Sequence, residues 1–208
     1  MIRPATAILG VVLAGGPSSR YGSPKALATV GGRRVVDRAA DALRAGLPGS
    51  EIVAIVNDPA LAVLIGLPHR PDVLTGIGPL AGLHAALLWA AETERTGIVV
   101  AGCDMPFIAP GLVRALAGAG RADAVLPASP TRRGMEPLCA YYSTACIRAV
   151  EVAAARGDTR MVGFHTDVRL HVLPEEVVRR FGDPARMFLN VNTAEDRIEA
   201  DRLEEGTT

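Results

Sequence analysis

Arg20 and Lys25 stand five residues apart in the stretch LAGGPSSRYGSPK (residues 13–25), where the chain leaves the apolar run ATAILGVV through two adjacent glycines. Gly15, Gly16 and Gly22 carry no Cβ, so backbone N–H groups there can turn into one concavity, the kind of cradle that binds phosphate oxygens. A guanidinium and an ammonium together would neutralise more charge than one phosphate carries, so a nucleoside triphosphate suits the pair better. The plainer alternative is a structural turn, and two cations set after the glycines count against it. Neither GxxxxGK[ST] nor GxGxxG fits the spacing, which disfavours P-loop NTPases and dinucleotide-dependent dehydrogenases.

A second candidate is Asp104, which ends the run GIVVAGCD and is followed by Met105 and Pro106. A carboxylate held there can take one or two positions on a Mg²⁺ that also binds triphosphate oxygens. Helix capping is the alternative, but Asp104 comes five residues before Ala109. Cys103 beside it reads as a core residue, since no histidine partner stands nearby. The remaining cysteines, Cys139 and Cys146, show no CxxC spacing, and His69, His84, His165 and His171 show no paired ligand spacing.

Three weaker groups remain. Gly78, Pro79 and Gly82 open a helix whose early glycine permits close approach of a ligand, or simply of another backbone. Asn190 and Asn192 alternate in FLNVN and are expected on one face of a short strand, unless they only cap or turn the chain before Thr193. Glu136 precedes Pro137 in SPTRRGMEPLCAYYS, where Arg132 and Arg133 could meet a second substrate or merely be solvated loop charges.

The elements that must position these residues are legible. ATAILGVVLA, EIVAIVN, GIVVAGCD and DAVLPAS are apolar almost throughout, as strands buried on both faces are. Helical patterns lie between them at Arg34 to Ala45, Pro79 to Glu94 and Pro110 to Ala119, with CAYYS as a further strand and a helix from Thr144 to about Arg156. A final helix takes Thr193 as N-cap with Asp196 at its third position, close to a capping box. The alternation predicts an α/β fold with a mostly parallel central sheet, and ligands in such sheets sit outside the carboxyl ends of the strands. Asn57 ends EIVAIVN at such an edge.

At 208 residues, with no repeat or linker, one domain spanning 1–208 is expected. Lys and Arg balance Asp and Glu at 22 each, which argues against a nucleic-acid or membrane-surface binder. No run reaches the ~18 apolar residues of a membrane span and no cleavage pattern follows the first strand, so a cytoplasmic protein is expected.

LAGGPSSRYGSPKAL resembles the signature loop LAGGxSxRxGxxKAL of nucleotidyltransferases that activate sugars and cofactors. More narrowly the chain resembles the molybdenum cofactor guanylyltransferase (MobA) family, with GPLAGLHAAL, GCDMPFI and FLNVNTAED agreeing in order and spacing. Residues 144–186 carry no clear family motif, and Tyr21 departs from the usual methionine. The resemblance implies a single-domain, Rossmann-like nucleotidyltransferase fold with helices on both faces of the sheet. It implies a nucleotide-binding half at about 1–128 and an acceptor-binding half at about 129–208. The implied reaction is GMP transfer from GTP to the terminal phosphate of Mo-molybdopterin, with release of pyrophosphate.

Residue by residue, the resemblance places Leu13, Ala14 and Gly15 against guanine, Arg20 and Lys25 on the phosphates, and Asn57 near the nucleoside. Gly16 and Gly22 complete the loop, and Asp72 joins the nucleotide side although its spacing to GPLAG is one residue short. Asp104 takes Mg²⁺, and Gly78, Gly82, Glu136, Asn190 and Asn192 fall to the acceptor side. It further implies a monomer with transient contact to cofactor-inserting or chaperone proteins. Rival outcomes are a cytidylyltransferase of the same cofactor, a sugar- or alcohol-phosphate nucleotidyltransferase, and a non-catalytic nucleotide-binding module.

Overall fold

The computed structural model describes residues 7–15, 25–131 and 134–206. Its centre is a seven-stranded sheet in the order β5-β4-β1-β6-β8-β7-β9. The four apolar runs supply β1 (Ile8–Leu13), β4 (Ile52–Ile55), β6 (Gly97–Gly102) and β7 (Ala124–Pro127), each buried along its whole length. Strands without a polar face can be stable only when both faces are covered, and here they are. β5 (His69–Arg70), β8 (Cys139–Ser143) and β9 (Leu170–Leu173) complete the sheet. β1 pairs in parallel with β4 and β6, from Ile8↔Gly97 to Leu13↔Gly102 on the β6 side. β8 runs antiparallel to both β6 and β7.

Alternating side chains of the strands build a core on each face. Ile8 and Val12 point into a cluster closed by α1 (Val35–Gly46) and α4 (Pro110–Gly118). Leu9, Val11 and Leu13 point into the other, closed by α3 (Pro79–Glu92) and α5 (Ile147–Ala155). The expected α/β architecture, with a mostly parallel sheet between helices, is what forms; the helices expected at 34–45, 79–94 and 110–119 end within two residues of those observed, while the one expected from Thr144 begins with a 3-10 turn, Thr144–Cys146, and becomes α-helical at Ile147.

Several elements were not foreseen. α2 (Pro59–Ile65) is capped by Asp58, whose side chain accepts from the Ala60 and Leu61 N–H groups. Directly after the signature loop, β2 (Thr29–Val30) and β3 (Arg33–Arg34) form a hairpin turned by Gly31 and Gly32, with φ of 56° and 72°. Two successive left-handed residues are what a tight primed hairpin turn requires. Short helices α6 (Glu175–Val178) and α7 (Pro184–Met187) precede the tail, and α8 (Ala194–Glu205) ends it with the capping box expected of Thr193 and Asp196.

FLNVN, expected as a short strand, forms none. Val191 donates its N–H to the Asp104 carbonyl at 2.9 Å, and beyond it the Asn192 and Thr193 N–H groups are taken by the Asp196 carboxylate. The helix cap thus takes backbone groups that a ladder would need. Val191 is still buried, in a third small cluster with Ala28, Val30, Val35 and Ala200.

His165 is 8 % exposed, and among the described residues neither ring nitrogen has a hydrogen-bond partner. It packs edge-on against Phe164, and burial pushes its pKa down to about 4. The folded protein therefore holds it neutral while the unfolded chain takes a proton below its ordinary pKa. Stability contributed by the neutral ring is complete above about pH 6.5 and is lost as pH falls toward about 4. Urea unfolding of His165→Leu across that range is expected to show a flatter pH dependence than the parent protein. An unchanged pH dependence would contradict the assignment.

Candidate active site

The chain runs from β1 to β4 and β5 on one side, then crosses back to β6 on the other, so β1 and β6 flank the switch point of the sheet. Open α/β sheets bind ligands in the crevice at that point. Leu13, Ala14 and Gly15 leave β1 there. The Leu13 carbonyl accepts from Cys103 N–H at 3.1 Å, and Ala14 N–H donates to the Ile55 carbonyl at 2.9 Å. The exit from β1 is thereby fastened to both neighbouring strands, while Gly15 is exposed.

Asp104 stands across the crevice from this exit, just past β6. It is 6 % exposed, and its Oδ1 lies 2.8 Å from where a Cβ on Gly102 would be. Its main chain is held by the Val191 N–H, so the tail containing Asn190 and Asn192 reaches the same edge of the sheet. Asn190 is half-buried and donates to the Phe188 carbonyl at 3.2 Å, whereas Asn192 is exposed. Among the described residues no three His, Cys, Asp or Glu side chains cluster as a metal cage. One carboxylate at a strand end fits magnesium, which is commonly held by one or two carboxylates together with substrate phosphates.

On the β4 side, Asn57 and Asp72 hold each other through two bonds. Asn57 Nδ2 donates to Asp72 Oδ2 at 2.7 Å, and Asp72 N–H donates to Asn57 Oδ1 at 2.7 Å. Asp72 is thus held beside the end of β4 in spite of its one-residue irregularity in spacing. Gly82 joins this side, since a Cβ on it would lie 3.3 Å from Leu13 Cδ2 and 3.5 Å from Asp72 Oδ1. Gly78 caps α3 with φ 55° and ψ −142°, a conformation open to glycine.

Glu136 stands near the start of β8, 6 % exposed, and its Oε1 accepts from the Leu138 N–H at 2.9 Å. The Leu138 carbonyl in turn accepts from Gly102 N–H at 2.8 Å. Glu136 therefore shapes the loop beside the Asp104 edge. Glu136→Ala is expected to cost about 1–3 kcal/mol, the range for losing a buried hydrogen-bond partner. Glu136→Gln, which keeps the acceptor, is expected to cost less than half as much in urea denaturation. Equal losses would assign the effect to charge instead.

Gly16, Arg20 and Gly22 lie outside the described residues, as do Arg132, Arg133 and the side chain of Lys25. The Lys25 backbone opens a 3-10 turn, Lys25–Leu27, and Ala26 within it is buried in the main core. Cys103, Cys139 and Cys146 are buried thiols not joined in disulfides, and burial pushes the Cys146 thiol up to about 12, the opposite of an activated nucleophile.

Sequence reading missed how α8 is fastened to α1 and to the β2–β3 hairpin. Arg38 on α1 donates to the Val30 carbonyl at 2.9 Å and to Glu204 Oε1 at 2.6 Å, while Asp201 accepts from the Gly31 N–H at 2.9 Å. Arg186 also stacks on Phe107, three residues past Asp104, at 4.7 Å. The first three contacts tie α8 and α1 to the β2–β3 hairpin, and the stacking joins α7 to the segment after β6. Partners separated by 166 and 170 residues give no local signal.

A mostly parallel sheet in which β1 ends at the exposed Gly15 and the neighbouring β6 ends at the Asp104 carboxylate, at the switch point, has the layout of a nucleotide-binding α/β protein. Residues 10–169 match the family model described as the MobA-like NTP transferase domain, and the chain belongs to that family. It is 38% identical to a probable molybdenum cofactor guanylyltransferase of Pelotomaculum thermopropionicum, over 92% of this chain and 90% of the relative. It is 36% identical to a molybdenum cofactor guanylyltransferase of Mesorhizobium japonicum, over 97% and 98%. Among solved structures, molybdopterin-guanine dinucleotide biosynthesis protein A from Archaeoglobus fulgidus superposes with a TM-score of 0.76 at 25% identity, covering 96% of this chain and 100% of that one.

Proposed function

We propose that the protein transfers GMP from GTP to the terminal phosphate of Mo-molybdopterin, forming the guanine dinucleotide cofactor and pyrophosphate. The observation that carries this is the convergence of the β1 exit, the Asn57–Asp72 pair and Asp104 on one sheet edge, in a chain whose relatives bear that activity's name over nearly their full length. Residues up to about 128 bind the nucleotide and the remainder receives the acceptor.

In this assignment Leu13, Ala14 and Gly15 lie against the base, with Asn57 and Asp72 beside them. Gly16, Arg20, Gly22 and Lys25 enclose the triphosphate. Asp104 holds Mg²⁺, which when bound neutralises phosphate charge. An oxygen of the acceptor phosphate attacks the α-phosphorus of GTP, and the α–β bond breaks with its electron pair leaving on pyrophosphate. A phosphate monoester is already largely ionised at neutral pH, with a second pKa near 6, so no strong general base is needed. The chain's own contribution is alignment and charge neutralisation. Gly78, Gly82, Glu136, Asn190 and Asn192 shape the acceptor side, Gly82 also bordering Asp72. The protein is taken to act as a cytoplasmic monomer, passing its product to cofactor-inserting or chaperone proteins by transient contact.

Pyrophosphate release with GTP, CTP, ATP and UTP, each with and without Mo-molybdopterin, tests the assignment. Acceptor-dependent release with GTP is expected. Preference for CTP would transfer the chain to the cytidylyl branch, and release indifferent to the pterin would point to another acceptor.

A further inference from the structure

We propose that the chain from Val191 through α8 is a strap that holds the Lys25 turn in fixed relation to Asp104, with Asp201 and Glu204 as its positioning residues. This rests on the reading above, in which Lys25 meets the triphosphate and Asp104 the metal. The strap is fastened at both ends. At one, the buried Val191 donates its N–H to the Asp104 carbonyl at 2.9 Å. At the other, Asp201 accepts from the Gly31 N–H at 2.9 Å and Glu204 Oε1 accepts from Arg38 Nη2 at 2.6 Å. The same Nη2 donates at 2.9 Å to the carbonyl of Val30, in the strand that follows the Lys25–Leu27 turn after Ala28.

Between these ends the strap is stiff. The Asp196 carboxylate accepts from the Asn192 and Thr193 N–H groups, and the Thr193 hydroxyl accepts from the Asp196 N–H, so the chain enters α8 at one angle. Its apolar footing joins both sides of the crevice. Val191 and Ala200 pack with Ala28, Val30 and Val35, and Phe107, three residues past Asp104, borders the same cluster.

That footing is slight on the helix itself, since Ala200 is the one buried residue of α8 and Ile198 is half exposed. A single methyl removes little apolar area from water, so the docking of α8 depends on its carboxylates. Surface ion pairs ordinarily contribute little. Here, however, the Arg38 side chain is only 12% exposed, and Asp201 takes a main-chain N–H at a left-handed turn residue. The hydrogen bond from Arg38 also holds the Glu204 carboxyl below its ordinary range. Catalysis by alignment makes such a frame matter, because a displacement of about 1 Å can cost roughly 10²-fold in rate.

The test uses the whole chain carrying Asp201→Ala and Glu204→Ala, singly and together. Amide hydrogen exchange reads the strap with no nucleotide present. The double variant should exchange about tenfold faster at Gly31 and also at Val191, the far end, while β1 and β6 stay protected. With Mo-molybdopterin as acceptor, its kcat/KM for GTP should fall about tenfold. In a Lys25→Ala background the same pair should cost less than about twofold more, as expected for groups acting in series. Glu204→Gln, which keeps an acceptor for Arg38, should recover most of the loss.

Faster exchange at Gly31 with Val191 unchanged overturns the strap, since α8 would then hold the hairpin alone. Exchange that rises equally in β1 and β6 overturns it as well, because the substitutions would have loosened the whole fold. Unaltered kinetics with both ends loosened, or losses that add in full to Lys25→Ala, overturn the positioning role. A parent protein inert towards GTP removes the substrate assignment instead, and exchange at the two ends then decides the strap alone.

Discussion

Asp104→Asn is expected to lower acceptor-dependent pyrophosphate release by about 10²- to 10³-fold, the scale seen when one preorganised charge-stabilising group is removed from a transition state. The substitution keeps the shape of a side chain that is 6 % exposed and lies over Gly102, so thermal unfolding should shift by only a few degrees. The Asp104 carbonyl still accepts from Val191, and the tail stays docked. The loss should be accompanied by weaker binding of Mn²⁺, titrated in the presence of a non-hydrolysable GTP analogue. Full turnover at ordinary magnesium concentration, or unaltered metal affinity, would remove Asp104 from the metal role.

The second large effect belongs to Lys25. Lys25→Ala is expected to reduce kcat/KM for GTP by about 10²-fold, since an ammonium near a polyphosphate offsets charge that grows on the leaving group. The backbone argues for an effect on chemistry more than on folding: Lys25 begins the 3-10 turn whose next residue, Ala26, is anchored in the core. Alanine does not disturb that anchor. Binding of GTP and inosine triphosphate should weaken equally, because the ammonium does not read the base. A selective loss with one nucleotide would contradict the phosphate role, as would unaltered kinetics.

Elements that bury both faces, or cap themselves locally, could be read from the chain directly. β1, β4, β6 and β7 have only apolar side chains to offer on either side, apart from glycine and the Pro127 end, and α8 announces its start through Thr193 and Asp196. The place of Asp104 at the end of β6 was legible for the same reason, as the first charge after an apolar run, with Pro106 two residues on. What distance along the chain decides was not legible. The antiparallel insertion of β8 between β6 and β7 and the ties from Arg38 to Glu204 and from Asp201 to Gly31 all depend on partners far away.

FLNVN shows the limit in the other direction. Its alternation of apolar and polar residues satisfies a strand pattern, and Val191 does face inward, but Asp196 takes the N–H groups on its far side and one bond to Asp104 does not make a ladder. Asp72 was the opposite case. Its spacing was irregular, yet the reciprocal bonds with Asn57 hold it beside the end of β4.

The central claim is the transfer itself, and product mass tests it most directly. The protein would be incubated with GTP, Mg²⁺ and Mo-molybdopterin, and the released pterin examined by mass spectrometry. The account predicts a species heavier than the input pterin by one guanylyl group, formed together with pyrophosphate and absent when GTP is replaced by its α,β-methylene analogue, whose α–β link cannot be broken. A pterin of unchanged mass, or one carrying cytidylyl when CTP is offered in competition, would contradict it.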